Sequence, residues 1–208
     1  MAKVTGPLMS ISASGTFGGT LVFAEWNGRA YVREHVIPSN PKSAMQTGIR
    51  SLWKFLSKFW ATISSQNKAT WLAIATAQQI SNFNAYMQYN MDRWQNFFAP
   101  TQANPAAEAS AGLTVTTQTL TGAVGYASIA VTPSGATAIW GIAIFRSTAE
   151  IVTPSWANCI AVVEADGANA VTYVDSPLVA GTYHYRTAII NTDGIMGTVK
   201  ADGTAVVT

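Results

Sequence analysis

The side chains that could do acid–base, nucleophilic or zinc chemistry are few and scattered along this sequence. The chain has two histidines, His35 and His184, and one cysteine, Cys159. Neither histidine stands in a motif with the serine, cysteine or carboxylate partners that nucleophilic catalysis or zinc binding requires. His184 lies between two tyrosines on a predicted strand, where a surface or edge histidine is expected. The sequence therefore predicts no catalytic residue and a protein that is not an enzyme.

The remaining polar groups also favour structural roles. Asp175, Asp193 and Asp202 each precede Ser or Gly in a predicted turn, so we expect their side chains to bond to nearby backbone, and a calcium site would need all three to converge. The glycine-rich stretch SASGTFGG lacks the Gly-Lys-Ser/Thr sequence of a phosphate-binding loop. Cys159 lies in the apolar run CIAVV, which predicts a buried, inert thiol and excludes an internal disulfide. No cofactor and no metal are predicted.

Charge divides unevenly between the two halves of the chain. Residues 1–104 contain nine basic and three acidic residues, a net charge of +6, whereas residues 105–208 contain three basic and seven acidic residues, a net charge of −4. Arg50, Lys54 and Lys58 recur every four residues and form one stripe of a predicted helix. A solvated face is the default interpretation of such a stripe, and a contact with nucleic acid or an acidic partner is the alternative. The nearby aromatic residues lie on the opposite, core-facing side, which disfavours nucleic acid as a partner.

The helix that carries this stripe is the clearest element in the sequence. Residues 39–63 place eight apolar side chains at helical spacing, namely Met45, Ile49, Leu52, Trp53, Leu56, Phe59, Trp60 and Ile63. Ser39 or Asn40 is the predicted N-cap, with Pro41 at the first helical position. Two further helices are predicted at about 66–77, capped by Ser64 or Ser65, and at about 84–98, ending before Pro100. Three helices with short connections predict a small antiparallel bundle.

Extended structure is predicted on both sides of this helical region. Residues 1–38 form an arm in which Asn27-Gly28 marks a hairpin between LVFAEW and RAYVREHV. Residues 101–112, TQANPAAEASAG, have the composition of a linker. From residue 113 the apolar period becomes two, and seven strand segments separated by turns predict an antiparallel sandwich over 113–208 that closes its own core. The predicted fold class is α+β, with domains 1–38, 39–100 and 113–208 and a linker at 101–112.

The composition bears on location and partners. Only 11% of residues are charged, below the roughly 25% that is usual in soluble domains. Much of the surface is therefore expected to be small and polar or to be covered by other subunits. No run of 18 apolar residues and no basic-then-apolar N-terminus is found, so we predict neither a membrane partner nor a signal peptide. Synthesis in a cytoplasm is expected.

The sandwich sequence resembles the fibronectin type III family of immunoglobulin-like domains. The segment WGIAIFRS, residues 140–147, is similar to the third strand of that family, and residues 173–194 are similar to its fifth strand, tyrosine corner and sixth strand. The resemblance implies that Leu178 plugs one end of the sandwich and that the Tyr183 hydroxyl bonds back to nearby backbone. Such domains act as spacers or present surfaces, and the fold assigns no activity.

The first hundred residues resemble a group of small proteins encoded among the structural genes of tailed bacteriophages. The similar segments are SASGTFGGTLVF, the Arg29–Arg33 strand, the junction at 37–41, and KATWLAIA with FNAYM further on. The resemblance implies a non-enzymatic virion protein, associated with the capsid or tail as an accessory or decoration protein. Its partners would be copies of itself and other virion proteins. The residues expected to bind partners are Phe17, Leu21, Phe23, Arg29, Tyr31, Arg33, Arg50, Lys54 and Lys58.

Two other functions stay open at this point. A binding module could recognise a host-surface glycan through the sandwich loops, and a nucleic-acid-associated protein could use the basic helix. The virion function is preferred because of the low charge, the extended glycine-rich arm and the polar linker.

Overall fold

A computed structural model describes residues 3–4, 13–27, 29–37, 43–106, 112–134, 139–151, 153–165 and 170–208 of the 208-residue chain. The chain divides into two compact units, Met1–Pro41 and Lys42–Thr208. The predicted division was different, because it separated a helical region from a sandwich at residues 101–112.

The first unit contains a four-stranded antiparallel sheet in the order β1-β2-β3-β4, with strands β1 (Lys3–Val4), β2 (Ala13–Phe17), β3 (Leu21–Trp26) and β4 (Arg29–Glu34). The β2–β3 turn uses Gly18 and Gly19 at φ values of 58° and 69°, which glycine adopts without steric cost. Asn27 follows β3 at a φ of 50°, as a two-residue hairpin turn requires. The described part of this unit is therefore a short, twisted meander in which β4 is an edge strand.

Four helices open the second unit: α1 (Ala44–Trp60), α2 (Ser65–Ala69), α3 (Leu72–Gln78) and α4 (Asn82–Gln95). Serine hydroxyls cap three of them, since Ser43, Ser64 and Ser81 each accept a hydrogen bond from the backbone N–H three residues later. Ser64 was one of the two predicted caps. The predicted caps Ser39 and Asn40 lie outside the described residues, and α1 begins several residues later than predicted.

The predicted second helix is divided into α2 and α3 at Thr70 and Trp71. Trp71 is fully buried, and its indole N–H donates to the Gln102 carbonyl at 3.0 Å. Thr70 hydroxyl accepts from the Asn104 N–H at 3.0 Å. Both contacts are with residues of the predicted linker, so tertiary contacts rather than helix propensity set the break.

In the described part of the second unit, seven strands form two sheets, in agreement with the seven predicted segments. One sheet has the order β11-β10-β7-β8 and the other β5-β6-β9. The strands are β5 (Val115–Ala123), β6 (Tyr126–Pro133), β7 (Ile139–Ser147), β8 (Cys159–Glu164), β9 (Val171–Asp175), β10 (Gly181–Asn191) and β11 (Gly203–Val207). Tyr183 hydroxyl donates to the Val179 carbonyl at 3.0 Å, which is the predicted tyrosine corner, and Leu178 packs against the core between the sheets. The architecture is a fibronectin III-like sandwich.

The helices do not form the separate antiparallel bundle that was predicted. One buried cluster joins helical side chains such as Leu52, Phe55 and Trp94 to Trp140 and Phe145 of β7. The Phe55 and Trp140 rings lie 4.9 Å apart, and Phe55 was not among the predicted apolar positions of α1. Of the positions that were predicted, Met45 and Trp53 are exposed. The helices therefore form a third layer on the four-stranded sheet.

The described part of the predicted linker is built into this layer. Asn90 side chain donates to the Thr101 carbonyl at 3.0 Å and accepts from the Thr101 N–H at 2.7 Å. Gln102 N–H donates to the Thr192 carbonyl at 2.9 Å. Residues 101–104 thus connect α4 to the end of β10, because a buried backbone must find hydrogen-bond partners; residues 107–111 lie outside the described residues.

Candidate interaction surfaces

The small sheet of the first unit has two chemically different faces. Cross-strand partners point to the same face and successive residues to opposite faces. The pairs Phe17 with Leu21 and Phe23 with Val32, and the pairs Thr16 with Val22 and Ala24 with Tyr31, fix the assignment. We call one the acidic face (Phe17, Leu21, Phe23, Glu25, Val32 and Glu34) and the other the basic face (Thr16, Val22, Ala24, Trp26, Tyr31 and Arg33).

Large apolar side chains are exposed on both faces. On the acidic face Phe17 is 56% exposed and Val32 is 54% exposed. On the basic face Trp26 is 72% exposed and Tyr31 is exposed as well. A sheet normally buries at least one of its faces. This sheet exposes apolar side chains on both faces, so an additional partner could cover either of them.

The predicted partner-binding residues of the arm fall on both faces. Phe17, Leu21 and Phe23 are on the acidic face, whereas Tyr31 and Arg33 are on the basic face. The backbone of Arg29 pairs with Trp26 in the hairpin, and its side chain lies outside the described residues. Trp26, Glu25 and Glu34 were not among the predicted partner-binding residues; the two-residue turn and the strict alternation were the signals that could have found them.

The other three predicted residues lie on α1 in the second unit. Lys58 forms an ion pair with Glu164 at the end of β8. Lys54 and Lys58 line a groove of about 290 Å³ together with Phe55, Phe59 and Glu164. Arg50 lies on the exposed side of the same helix. Lys58 of the predicted basic stripe is thus paired within the fold, which weakens the case for an electrostatic contact with nucleic acid.

α1 also covers the edge strand β8 directly. The Ser51 hydroxyl accepts from the Val162 N–H at 2.9 Å and donates to the Val162 carbonyl at 3.1 Å. A Cβ built on Gly48 would lie 2.1 Å from the Cys159 carbonyl oxygen, so only glycine permits this approach of helix and strand. These contacts occupy backbone groups at an edge that would otherwise attract another strand.

A buried ionic network connects the two sheets of the sandwich. Arg146 Nη1 donates to both Asp175 carboxylate oxygens at 2.9 and 2.8 Å, and the Tyr185 hydroxyl donates to Asp175 at 2.9 Å. Asp175 is 5% exposed, so the predicted role in a turn is wrong. Burial, and then the neighbouring Asp175 charge, raise the pKa of Tyr185. The network fixes the two sheets to each other and keeps the Tyr185 hydroxyl protonated.

His184 has a carboxylate partner that the sequence did not reveal. Its Nδ1 lies 2.6 Å from Asp202 Oδ2, and Asp202 also accepts from the Ile151 N–H at 3.5 Å. This corrects two predictions, a surface or edge position for His184 and a turn-bound Asp202, because β10 lies between two other strands of its sheet. The pair connects β10 to the segment before β11. Asp193 does lie in a turn, but there Asn191 is the capping side chain, since its Oδ1 accepts from the N–H groups of Asp193 and Ile195.

The single cysteine is not available for chemistry at the surface. Cys159 is fully buried, as predicted, and burial raises the pKa of its thiol to about 12. Among the described residues, no group of three or more His, Cys, Asp and Glu side chains could hold a metal ion. No described helix is long and apolar enough to cross a membrane.

An open cleft of about 560 Å³ lies between α4, the segment that follows it and the Gly194–Met196 turn. Arg93 lines this cleft, and it donates to the Ala99 and Gly194 carbonyls at 2.9 Å each. Its guanidinium also lies over the Phe98 ring at 5.5 Å. Arg93 therefore serves to connect α4 to the β10–β11 connection.

No family model and no curated protein match this chain. Several solved structures match part of it. A family 76 glycoside hydrolase from a bovine Bacteroides thetaiotaomicron strain has a TM-score of 0.37 at 14% identity, covering 44% of this chain and 20% of that one. A Fn3-like protein from Clostridium thermocellum has a TM-score of 0.34 at 15% identity, covering 47% and 96%. The fibronectin(III)-like modules of Clostridium thermocellum CbhA have a TM-score of 0.34 at 12% identity, covering 46% and 45%. The assignment of the sandwich rests on its own strand order and tyrosine corner.

Proposed function

We propose that this protein is a non-enzymatic structural component of a tailed-phage virion, associated with the capsid or tail as an accessory or decoration protein. It is synthesised in the host cytoplasm and located in the virion. It docks through its N-terminal half, mainly the sheet of residues 13–37, and displays the fibronectin III-like sandwich.

The exposed apolar side chains of the small sheet are the observation that carries this proposal. Phe17, Trp26 and Val32 are each more than half exposed, and Val36 and Ile37 beyond β4 are 70% and 81% exposed. Large apolar side chains grouped on one small sheet are more typical of an interaction site than of free surface. A subunit whose surface is completed on assembly accounts for it, and the resemblance of residues 1–100 to phage structural proteins names the kind of assembly.

The second unit fits the displayed part of such a subunit. Its core is closed by three layers, and its ionic and polar groups are largely satisfied within the fold, as the Arg146–Asp175 and His184–Asp202 pairs illustrate. A module that is stable by itself can project from a particle without needing further contacts.

Electron microscopy of gradient-purified particles tests the proposal. We expect stoichiometric copies of the protein at one fixed, symmetry-related position on the virion. Particles made with a chain lacking residues 1–37 should lose these copies, while circular dichroism shows the same helices and sandwich in the truncated protein. Absence of the protein from purified particles would refute the proposal. Retention of a host-surface glycan by the free protein, with no copies on particles, would favour the binding-module alternative instead.

A further inference from the structure

We propose that the sheet of residues 13–37 binds the same sheet of a second copy of this chain, with the acidic face of one copy against the basic face of the next. The inference rests on the proposed function and deepens it, because it names this chain itself as the partner of the arm.

Charge complementarity is the first argument. Glu25 and Glu34 are the charged side chains of the acidic face, and both are exposed. Arg33 is an exposed cation on the basic face, which also carries the exposed rings of Trp26 and Tyr31. Among the described side chains, each face thus carries charge of one sign only. Faces of opposite sign attract each other across an interface and fix its register.

The same charges disfavour pairing of identical faces. Two acidic faces would bring the glutamates of both copies into one interface, and two basic faces would do the same with Arg33. Like charges placed together in a desolvated interface are strongly repulsive. The favoured contact therefore joins two different surfaces, and it is heterologous rather than twofold symmetric.

The size of one face predicts a weak single contact. Three strands of about six residues cover roughly 20 Å by 14 Å, or about 300 Å² per face, from the standard rise and strand spacing. A stable pairwise interface buries about 800 Å² on each partner. Each copy has two such faces, however, so a closed ring gives every copy two contacts and gains from the high effective concentration of its ends. We expect concentration-dependent association that ends in a ring or an open chain.

Two complementary pairs of charge-changing substitutions test this arrangement in the 208-residue chain. Glu25→Lys with Glu34→Arg inactivates the acidic face only, and Arg33→Glu with Trp26→Glu inactivates the basic face only. In analytical ultracentrifugation, each variant alone should associate at least tenfold more weakly than the wild-type chain. Mixed together, they should associate again, because one intact face of each kind remains and the two altered faces are also of opposite charge.

A matched control lies in the second unit. Glu150→Arg reverses an exposed acidic charge and should leave association unchanged. Circular dichroism should report the same fold for every variant, since the substituted side chains are exposed.

Three results would overturn the inference. Unchanged self-association of either double variant would refute it, as would two variants that both lose association and form no complex when mixed, which would indicate pairing through strand edges. A wild-type chain that stays monomeric at high micromolar concentration would also refute it. If that chain is nevertheless found at a fixed position on particles, the proposed function stands and the arm binds a different virion protein.

Discussion

Asp175 shows how much of the sandwich depends on one side chain. Its carboxylate takes two hydrogen bonds from Arg146 and one from Tyr185, and these residues come from three different strands. A buried charge is tolerated only when it is paired and hydrogen-bonded. The three residues lie 10 and 29 positions apart along the chain, and no spacing rule connects them, so the network could not be predicted from the sequence.

We expect Asp175→Asn to destabilise the second unit by about 3 kcal/mol, because breaking a buried pair leaves Arg146 without its counter-charge. Tyr185→Phe should cost about 1 to 2 kcal/mol, since it removes one charge-assisted hydrogen bond. Urea unfolding at neutral pH measures both. Glu150→Gln, at an exposed loop position, is the control and should change the free energy of unfolding little. An equal free energy of unfolding for Asp175→Asn and the wild-type protein would show that the network does not stabilise the fold.

The buried thiol of Cys159 predicts a loss of stability in alkali. Burial raises its pKa from 9.0 to about 12, so above pH 9 the unfolded chain releases a proton that the folded chain keeps. The unfolded state then binds fewer protons, and the free energy of unfolding falls as pH rises from about 9 towards 12. Burial also raises the pKa of Tyr86 and of Tyr185, which adds to the fall in the same direction.

Urea midpoints measured from pH 7 to pH 11 should therefore decrease above pH 9. Cys159→Ala removes the thiol's share, up to about 1.4 kcal/mol per pH unit, and its curve should be shallower. Identical slopes in the two proteins would mean that the thiolate is accommodated in the folded state.

At the scale of elements, the contact of α1 with β8 organises the second unit. Gly48 and Ser51 form the point of closest approach, with Phe55 packing against Trp140 one turn later. Glycine and serine carry no hydrophobic signal, so a helical pattern cannot show that they face a partner. This is why much of the apolar face was predicted, with Leu52, Leu56 and Ile63 in the buried cluster, whereas the close contact with β8 was not.

Gly48→Ala separates helix propensity from packing. In an exposed helix the change would stabilise by about 1 kcal/mol. Here the new Cβ would meet the Cys159 carbonyl oxygen at 2.1 Å, so we expect a loss of about 2 to 3 kcal/mol from overpacking. Ser57→Ala, at an exposed position of α1, is the matched control. A stabilised Gly48→Ala protein would show that α1 does not lie against β8 as described.

The strands could be predicted from the sequence, but the helical layer that covers the four-stranded sheet could not. Alternation and turn residues located all seven, because those signals are local. β7 is different, since Ile139–Phe145 contains no charged or hydrogen-bonding side chain except the Trp140 indole. An antiparallel strand that is apolar in both parities is covered on both faces. This run, interpreted in that way, would have indicated the third layer.

At the scale of the molecule, the helical layer makes the sandwich dependent on the residues before it. Trp140, Phe145 and Val162 are buried in the cluster shared with the helices. The predicted sandwich over residues 113–208 closes its own core, and it would then fold alone as a soluble monomer. The structure leads to a different expectation, because removing the helices would uncover this apolar surface.

We now expect residues 42–208 to unfold in one cooperative transition as an isolated fragment, and residues 113–208 to aggregate or to bind hydrophobic dyes. Expression of both fragments, followed by thermal unfolding and dye binding, distinguishes these outcomes. A cooperative, monomeric 113–208 fragment would restore the original division at residues 101–112.

The cover that Ser51 and Gly48 provide for β8 has a consequence for synthesis on the ribosome. Translation proceeds at about 5–20 residues per second, so α1 leaves the ribosome some 5–20 s before β8 does. A helix forms within microseconds, and it is thus ready when the edge strand emerges. The edge of β8 can therefore be covered by α1 as soon as it is synthesised, before it contacts other nascent chains. A circular permutant with residues 43–106 placed after residue 208 should reach similar native stability yet yield more insoluble protein in cells, whereas equal soluble yields would show that the order of synthesis is unimportant.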